Sequence, residues 1–65
     1  MEDLMREPEV EAMTGISAGT LRWWRARGDS GPRWAKLGRR VVYRRSDVEA
    51  WINQQFEAAD ARRSA

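Results

Sequence analysis

Cysteine and histidine are both missing from this chain, and the two absences close several routes. Without cysteine no disulfide or thiolate metal site can staple the fold, so stability must come from apolar packing, and the composition suits a reducing compartment. Nor does any H-E-x-x-H, G-x-S-x-G or phosphate-cradling glycine loop occur, and no acidic cluster has the spacing of a Ca²⁺ loop, so neither an enzyme nor a metal or cofactor site is expected. No stretch approaches the ~18 consecutive apolar residues of a membrane span. The acidic opening MEDLMREPEVE lacks the basic n-region and apolar h-region of an export signal, so a soluble, cytoplasmic protein is expected, with no membrane partner.

What is present is one core's worth of apolar residues and a segregated charge. A chain of 65 residues, with four Trp, one Tyr and one Phe, buries only roughly 60% of its unfolded surface and has material for a single core. Residues 1 to 11 carry Glu2, Asp3, Glu7, Glu9 and Glu11 against Arg6 alone. Residues 22 to 45 reverse this, with Arg22, Arg25, Arg27, Arg33, Lys36, Arg39, Arg40, Arg44 and Arg45 against Asp29. The last twenty residues are acidic again on balance. A cationic middle dominated by arginine, the side chain shaped for phosphate and guanine edges, points to a face built for a polyanion. The competing reading is an ordinary solvated surface.

Local signals divide the chain into a flexible start (1 to 6), a domain (7 to 57) and a loose tail (58 to 65). Glu7, Pro8 and Glu9 resemble a first helical turn, Val10 and Met13 share a face, and Gly15 stops the helix, which predicts helix 1 over 7 to 14. Ser17 is placed as N-cap of a second helix over 18 to 27 that Gly28 ends. Asp-Ser-Gly-Pro is turn chemistry, after which Arg33 to Leu37 and Val41 to Arg45 form strand-like runs around Gly38, Arg39 and Arg40. Val41 and Tyr43 share the strand face expected to pack on helices 1 and 3. Ser46 and Glu49 have capping-box spacing, opening a third helix with Val48, Trp51, Ile52 and Gln55 or Phe56 on its apolar stripe. The expected fold class is mainly α with a small β-hairpin: a winged helix-turn-helix of helix, turn, recognition helix, hairpin wing and C-terminal helix.

On a helical wheel, Leu21 and Trp24 of helix 2 point inward with Ile16, which puts Gly19, Arg22, Trp23 and Ala26 on the opposite face with Arg27 at its flank. Small residues let a backbone approach a groove, and an arginine there can reach guanine O6 and N7 together, so Arg22 takes the base-edge role. Trp23 is placed against the sugar-phosphate backbone; its alternative is a core position beside Trp24. The start of helix 2, with Ser17 and Thr20, is a candidate phosphate site. Lys36, Arg39, Arg40 and Arg44 surround the hairpin turn and suit a narrow minor groove or its phosphates; the bland reading is a solvated loop tip. The candidate DNA-binding set is therefore Ser17, Gly19, Thr20, Arg22, Trp23, Arg25, Arg27, Arg33, Lys36, Arg39, Arg40 and Arg44. Trp34 and Trp51 are expected in the core.

The runs E-V-E-A-M-T-G-I-S-A-G-T-L-R-W-W-R-A-R-G, G-P-R-W and L-G-R-R-V-V-Y-R-R-S-D-V-E-A-W give Met5 to Ile52 a resemblance to the excisionase and MerR-like winged helix-turn-helix family, including AlpA-type regulators of phages and mobile elements. The resemblance implies a recognition helix in the major groove and a wing at the minor groove or its phosphates, with contacts from Thr20, Arg22, Trp23 and the Gly38-Arg39-Arg40 tip. Two departures stand out: Arg6 occupies the place where members often have a Thr or Ser cap, and nothing in these residues beyond the wing is expected to be long enough for the dimerisation helix and effector domain of MerR regulators proper. The resulting expectation is an excisionase, a recombination directionality factor of a prokaryotic or phage-infected cell. It would bind tandem sites cooperatively beside other copies of itself and bend DNA to steer an integrase, with no small-molecule ligand. A small transcriptional regulator of the same fold is the nearest alternative, and a protein-binding adaptor is the alternative of another class.

Overall fold

The computed structural model describes residues 3–64. Six elements follow one another: β1 (Leu4–Met5), α1 (Glu7–Thr14), α2 (Ala18–Arg27), β2 (Ala35–Leu37), β3 (Arg40–Arg44) and α3 (Arg45–Ser64). The strands form an antiparallel sheet in the order β1-β3-β2. Three helices plus this small sheet make a mainly helical winged helix-turn-helix.

Both short helices begin and end where local chemistry dictates. At α1 the Arg6 N–H donates to Glu9 Oε1 at 3.1 Å, so a first-turn carboxylate, rather than a hydroxyl cap, satisfies the helix entry. Gly15 closes α1 at φ 78°, a left-handed conformation that costs glycine little, and its N–H donates to the Glu11 carbonyl at 2.8 Å. Thr14 then locks the turn, donating its hydroxyl to the Val10 carbonyl at 2.7 Å and accepting the Ile16 N–H at 3.1 Å. Ser17 caps α2 by accepting the Thr20 N–H at 3.1 Å.

The core is formed by Met5, Val10, Leu21, Tyr43 and Val48, with Met13, Ile16, Trp24, Val41 and Ile52 packed around it. Tyr43 and Val41 thus use the strand face predicted for them. Trp51 is half-buried, its ring 5.7 Å from that of Trp24. Gly31 is held at φ 85° with no room for a side chain, since an added Cβ would lie 2.7 Å from Trp24 Cε3.

Several expectations need correction. The start is ordered from Asp3 onward: Met5 pairs with Tyr43 in β1·β3 and is buried, because β3 offers an open edge that two extended residues suffice to fill. Residues 1 and 2 of the predicted flexible segment lie outside the described residues, as does residue 65 of the predicted loose tail. The rest of that tail is helical. α3 continues to Ser64 although its apolar stripe is spent, since Ala, Gln, Glu and Arg sustain a helix by intrinsic preference. α3 also begins at Arg45, one residue before the predicted Ser46 cap, continuing directly from β3. The hairpin strands are Ala35–Leu37 and Arg40–Arg44, shifted from the predicted runs. Trp34 is not core: it stands before β2 with 41% of its surface exposed.

Candidate nucleic-acid interface

The outward side of α2 carries the residues that the wheel assigns to it. Gly19, Arg22, Trp23, Ala26 and Arg27 are exposed, while Leu21 is buried and Trp24 turns toward the core. Trp23 is 57% exposed, which sets aside its core alternative. The Arg27 guanidinium lies 4.7 Å from the Trp23 ring centre and pairs with Asp29 at 2.9 Å, so the indole is braced on one side.

Arg25 departs from its predicted role. Its guanidinium is mostly buried, donating to the Tyr43 hydroxyl at 2.7 Å and pairing with Glu7, with the Trp34 ring centre 6.0 Å away. Partial burial alone would lower its pKa; the bonds to Glu7 and Tyr43 outweigh that and hold it above the ordinary arginine value. Arg25 therefore brackets the recognition helix to α1 and β3, and is not turned to solvent for phosphate.

The start of α2 is likewise occupied from within. Glu11 Oε1 accepts the Ala18 N–H at 3.0 Å, Ser17 Oγ accepts that of Thr20, and the Ser17 hydroxyl donates to Thr20 Oγ1 at 2.9 Å. A carboxylate already answers the positive end of this helix, which weakens the predicted phosphate role of Ser17 and Thr20.

Ion pairing sorts the remaining cations. Arg27 pairs with Asp29, Arg44 with Asp47 at 2.8 Å and Arg45 with Asp3 at 3.2 Å. Among the described residues Arg6, Arg22, Arg33, Lys36, Arg39, Arg40 and Arg62 are exposed and have no carboxylate partner, and all but Arg62, near the end of α3, lie on α2, the wing or the segments beside them. Arg39 and Arg40 border a depression that also touches Arg6, Pro8 and the paired Glu7 and Arg25. Arg22 stands one turn before Arg25 on α2, but Arg25 is held by Glu7 and Tyr43, so Arg22 on the recognition helix and Arg39 and Arg40 on the wing are separate free cations. Arg6 is the member that sequence reasoning missed; it sits in an acidic segment, and only the pairing of β1 with β3 carries it to the wing.

Among the described residues no group of His, Cys, Asp or Glu is placed to hold a metal ion, and no helix is long and apolar enough to cross a membrane.

Two helices joined at a glycine turn, an exposed face on the second and a basic hairpin beside it define a DNA-binding protein of the winged helix-turn-helix class. The chain belongs to the helix-turn-helix domain family, whose model matches residues 4–56. No match was found among curated proteins or among solved structures.

Proposed function

We propose that this protein is a non-catalytic, architectural DNA-binding factor of the excisionase kind. In this reading it sets down on adjacent duplex sites, bends them and so directs an integrase. The observation that carries the reading is the sorting of cations: the protein neutralises Arg25, Arg27, Arg44 and Arg45 internally and leaves Arg22, Arg33, Lys36, Arg39 and Arg40 for a polyanion. α2 enters the major groove with Arg22 reaching a guanine edge. Gly19 and Ala26 let the helix backbone approach, and the Trp23 N–H reaches the sugar-phosphate chain. The wing arginines take the neighbouring minor groove or its phosphates. A domain with so few base contacts gains specificity from several copies side by side, which favours the architectural role over a lone regulator bound at one site.

Arg22→Ala is the direct test. Binding is expected to weaken by about 1–3 kcal/mol, with discrimination lost at one base position. Equal weakening on every sequence would make Arg22 a phosphate contact. Footprinting on natural sites separates the roles: tandem, cooperatively filled and bent sites fit the architectural factor, and one isolated, undistorted site would fit a regulator.

A further inference from the structure

The outer face of the sheet carries an apolar strip that is open to solvent except at the buried Val42, with Arg40 and Arg44 at its margins. Side chains alternate along a strand, so the pairs Leu4↔Arg44, Ala35↔Val42 and Leu37↔Arg40 stand on the face opposite Met5, Val41 and Tyr43. There Leu4, Trp34 and Leu37, with 47%, 41% and 54% of their surfaces exposed, meet Val42 around an open cleft of about 280 Å³. Arg33, which has no carboxylate partner among the described residues, forms part of its rim.

A second orphan apolar group lies on α3. Beyond Ile52 every described residue of this helix is exposed except Ala59, so its last three turns overhang the core, and the molecule is drawn out to 44 × 28 × 19 Å. On that overhang Phe56 is 64% exposed, the most exposed large apolar side chain among the described residues. Glu57 adjoins it in sequence, and Asp60 lies one turn further on the same side. Glu57 has no cationic partner among the described residues, and the Asp60 contact with Arg63, at 3.5 Å in full solvent, holds it only weakly.

Phe56 cannot reach the cleft of its own chain. Asp47, near the root of α3, lines that cleft, and Phe56 stands nine residues further along a continuous helix, roughly 13 Å away along the axis. The described chain-start acids are each engaged within the chain: Asp3 pairs with Arg45 at the surface, Glu7 with Arg25, and Glu9 and Glu11 accept backbone N–H groups. Among the described residues Glu57, without a cationic partner, is next to the exposed aromatic on α3, and Arg33, one of the unpaired cations, is beside the exposed cleft.

We propose that the cleft formed by Leu4, Trp34, Leu37 and Val42 receives Phe56 of a second copy of this chain, with Glu57 and Asp60 of that copy meeting Arg33. The contact is heterologous, overhang into cleft, and each copy keeps one unused half, so it propagates along a line of sites rather than closing a dimer. It rests on the reading of this chain as a factor that binds adjacent duplex sites, and supplies the surface through which neighbours touch.

The test uses Phe56→Asp and Leu37→Asp, both at exposed positions, alone and mixed one to one, with circular dichroism to establish that each folds. On a duplex with two adjacent sites, either variant alone is expected to lose the cooperativity factor by about 10- to 30-fold, read against its own single-site affinity, which Phe56→Asp leaves unchanged and Leu37→Asp lowers by setting a carboxylate opposite Arg40 on the wing. The mixture is expected to recover it, because the Phe56→Asp copy keeps an intact cleft and the Leu37→Asp copy an intact overhang. Loss in Phe56→Asp but not in Leu37→Asp would mean that two α3 helices meet each other and would overturn the proposal, as would failure of the mixture or no change in either variant. Sedimentation equilibrium of the same samples without DNA, at high protein concentration, reads the contact independently. Should the wild type associate there yet bind no duplex, the DNA reading fails and the surface stands; should it bind single sites but neither associate nor cooperate, the surface fails and the DNA reading stands.

Discussion

Replacing Arg25 by glutamine would leave the Glu7 carboxylate without its cation and the Tyr43 hydroxyl without its donor, in a place where water replaces neither fully. A cost of about 1–3 kcal/mol is expected, read as a lower urea midpoint or melting temperature. Duplex affinity should fall for all sequences alike, because the angle between recognition helix and wing loosens while no base contact is deleted. Arg22→Ala should do the reverse, leaving the melting temperature unchanged and altering base preference. The two arginines stand three positions apart, and although the wheel gives only Arg22 the outward face, both entered the expected DNA-binding set. What separates them is Glu7, eighteen residues before Arg25, and no local pattern announces a partner at that distance. Trp34 misled for a related reason: alternation in a strand assigns two faces but does not say which of them the rest of the protein covers.

At the scale of elements, α1 and α2 were legible to the residue because their boundaries are written in adjacent chemistry: Gly15 and Gly28 as stops, Ser17 as a cap. β1 was not, since two extended residues carry no periodicity and owe their strand character to the edge of β3. The far half of α3 was not either, because the period that marks a packed helix ends where the packing ends, while the helix itself continues. The outward face of α2 was legible from the wheel alone. The wing, whose turn lies at Gly38 and Arg39, invites an electrostatic measurement. With Arg33, Lys36, Arg39 and Arg40 free for phosphates and Arg22 given to a base edge, log K against log salt should fall with a slope of about −3 to −4 on duplex DNA. The double variant Arg39→Ala/Arg40→Ala should flatten that slope by about 2 while preserving the order of preferred sequences. An unchanged slope would remove the wing from the interface.

For the whole molecule, a single small core ties the ends of the domain together. Asp3 accepts the Arg45 N–H at 3.0 Å, Met5 is buried against the same cluster as Val48, and Arg25 links α1, α2 and β3. Removing residues 1–5 should therefore do more than trim an edge. It takes the fully buried Met5 from the core, and for a domain of this size a loss of about 2–5 kcal/mol approaches the whole stability. Circular dichroism of the shortened chain is expected to show a largely unfolded population at room temperature, and a cooperative melt like that of the intact chain would show that β1 is dispensable.

That same seam between the chain's opening residues and the root of α3 bears on how the protein is made. Met5 finds its strand partner, Tyr43, only after thirty-seven intervening residues have been added, and Val48, which completes the cluster, follows later still. A nascent chain stalled before that point holds two capped helices and no closed interior, so acquisition of structure on the ribosome is expected to come as one late event, once most of the domain has cleared the exit tunnel.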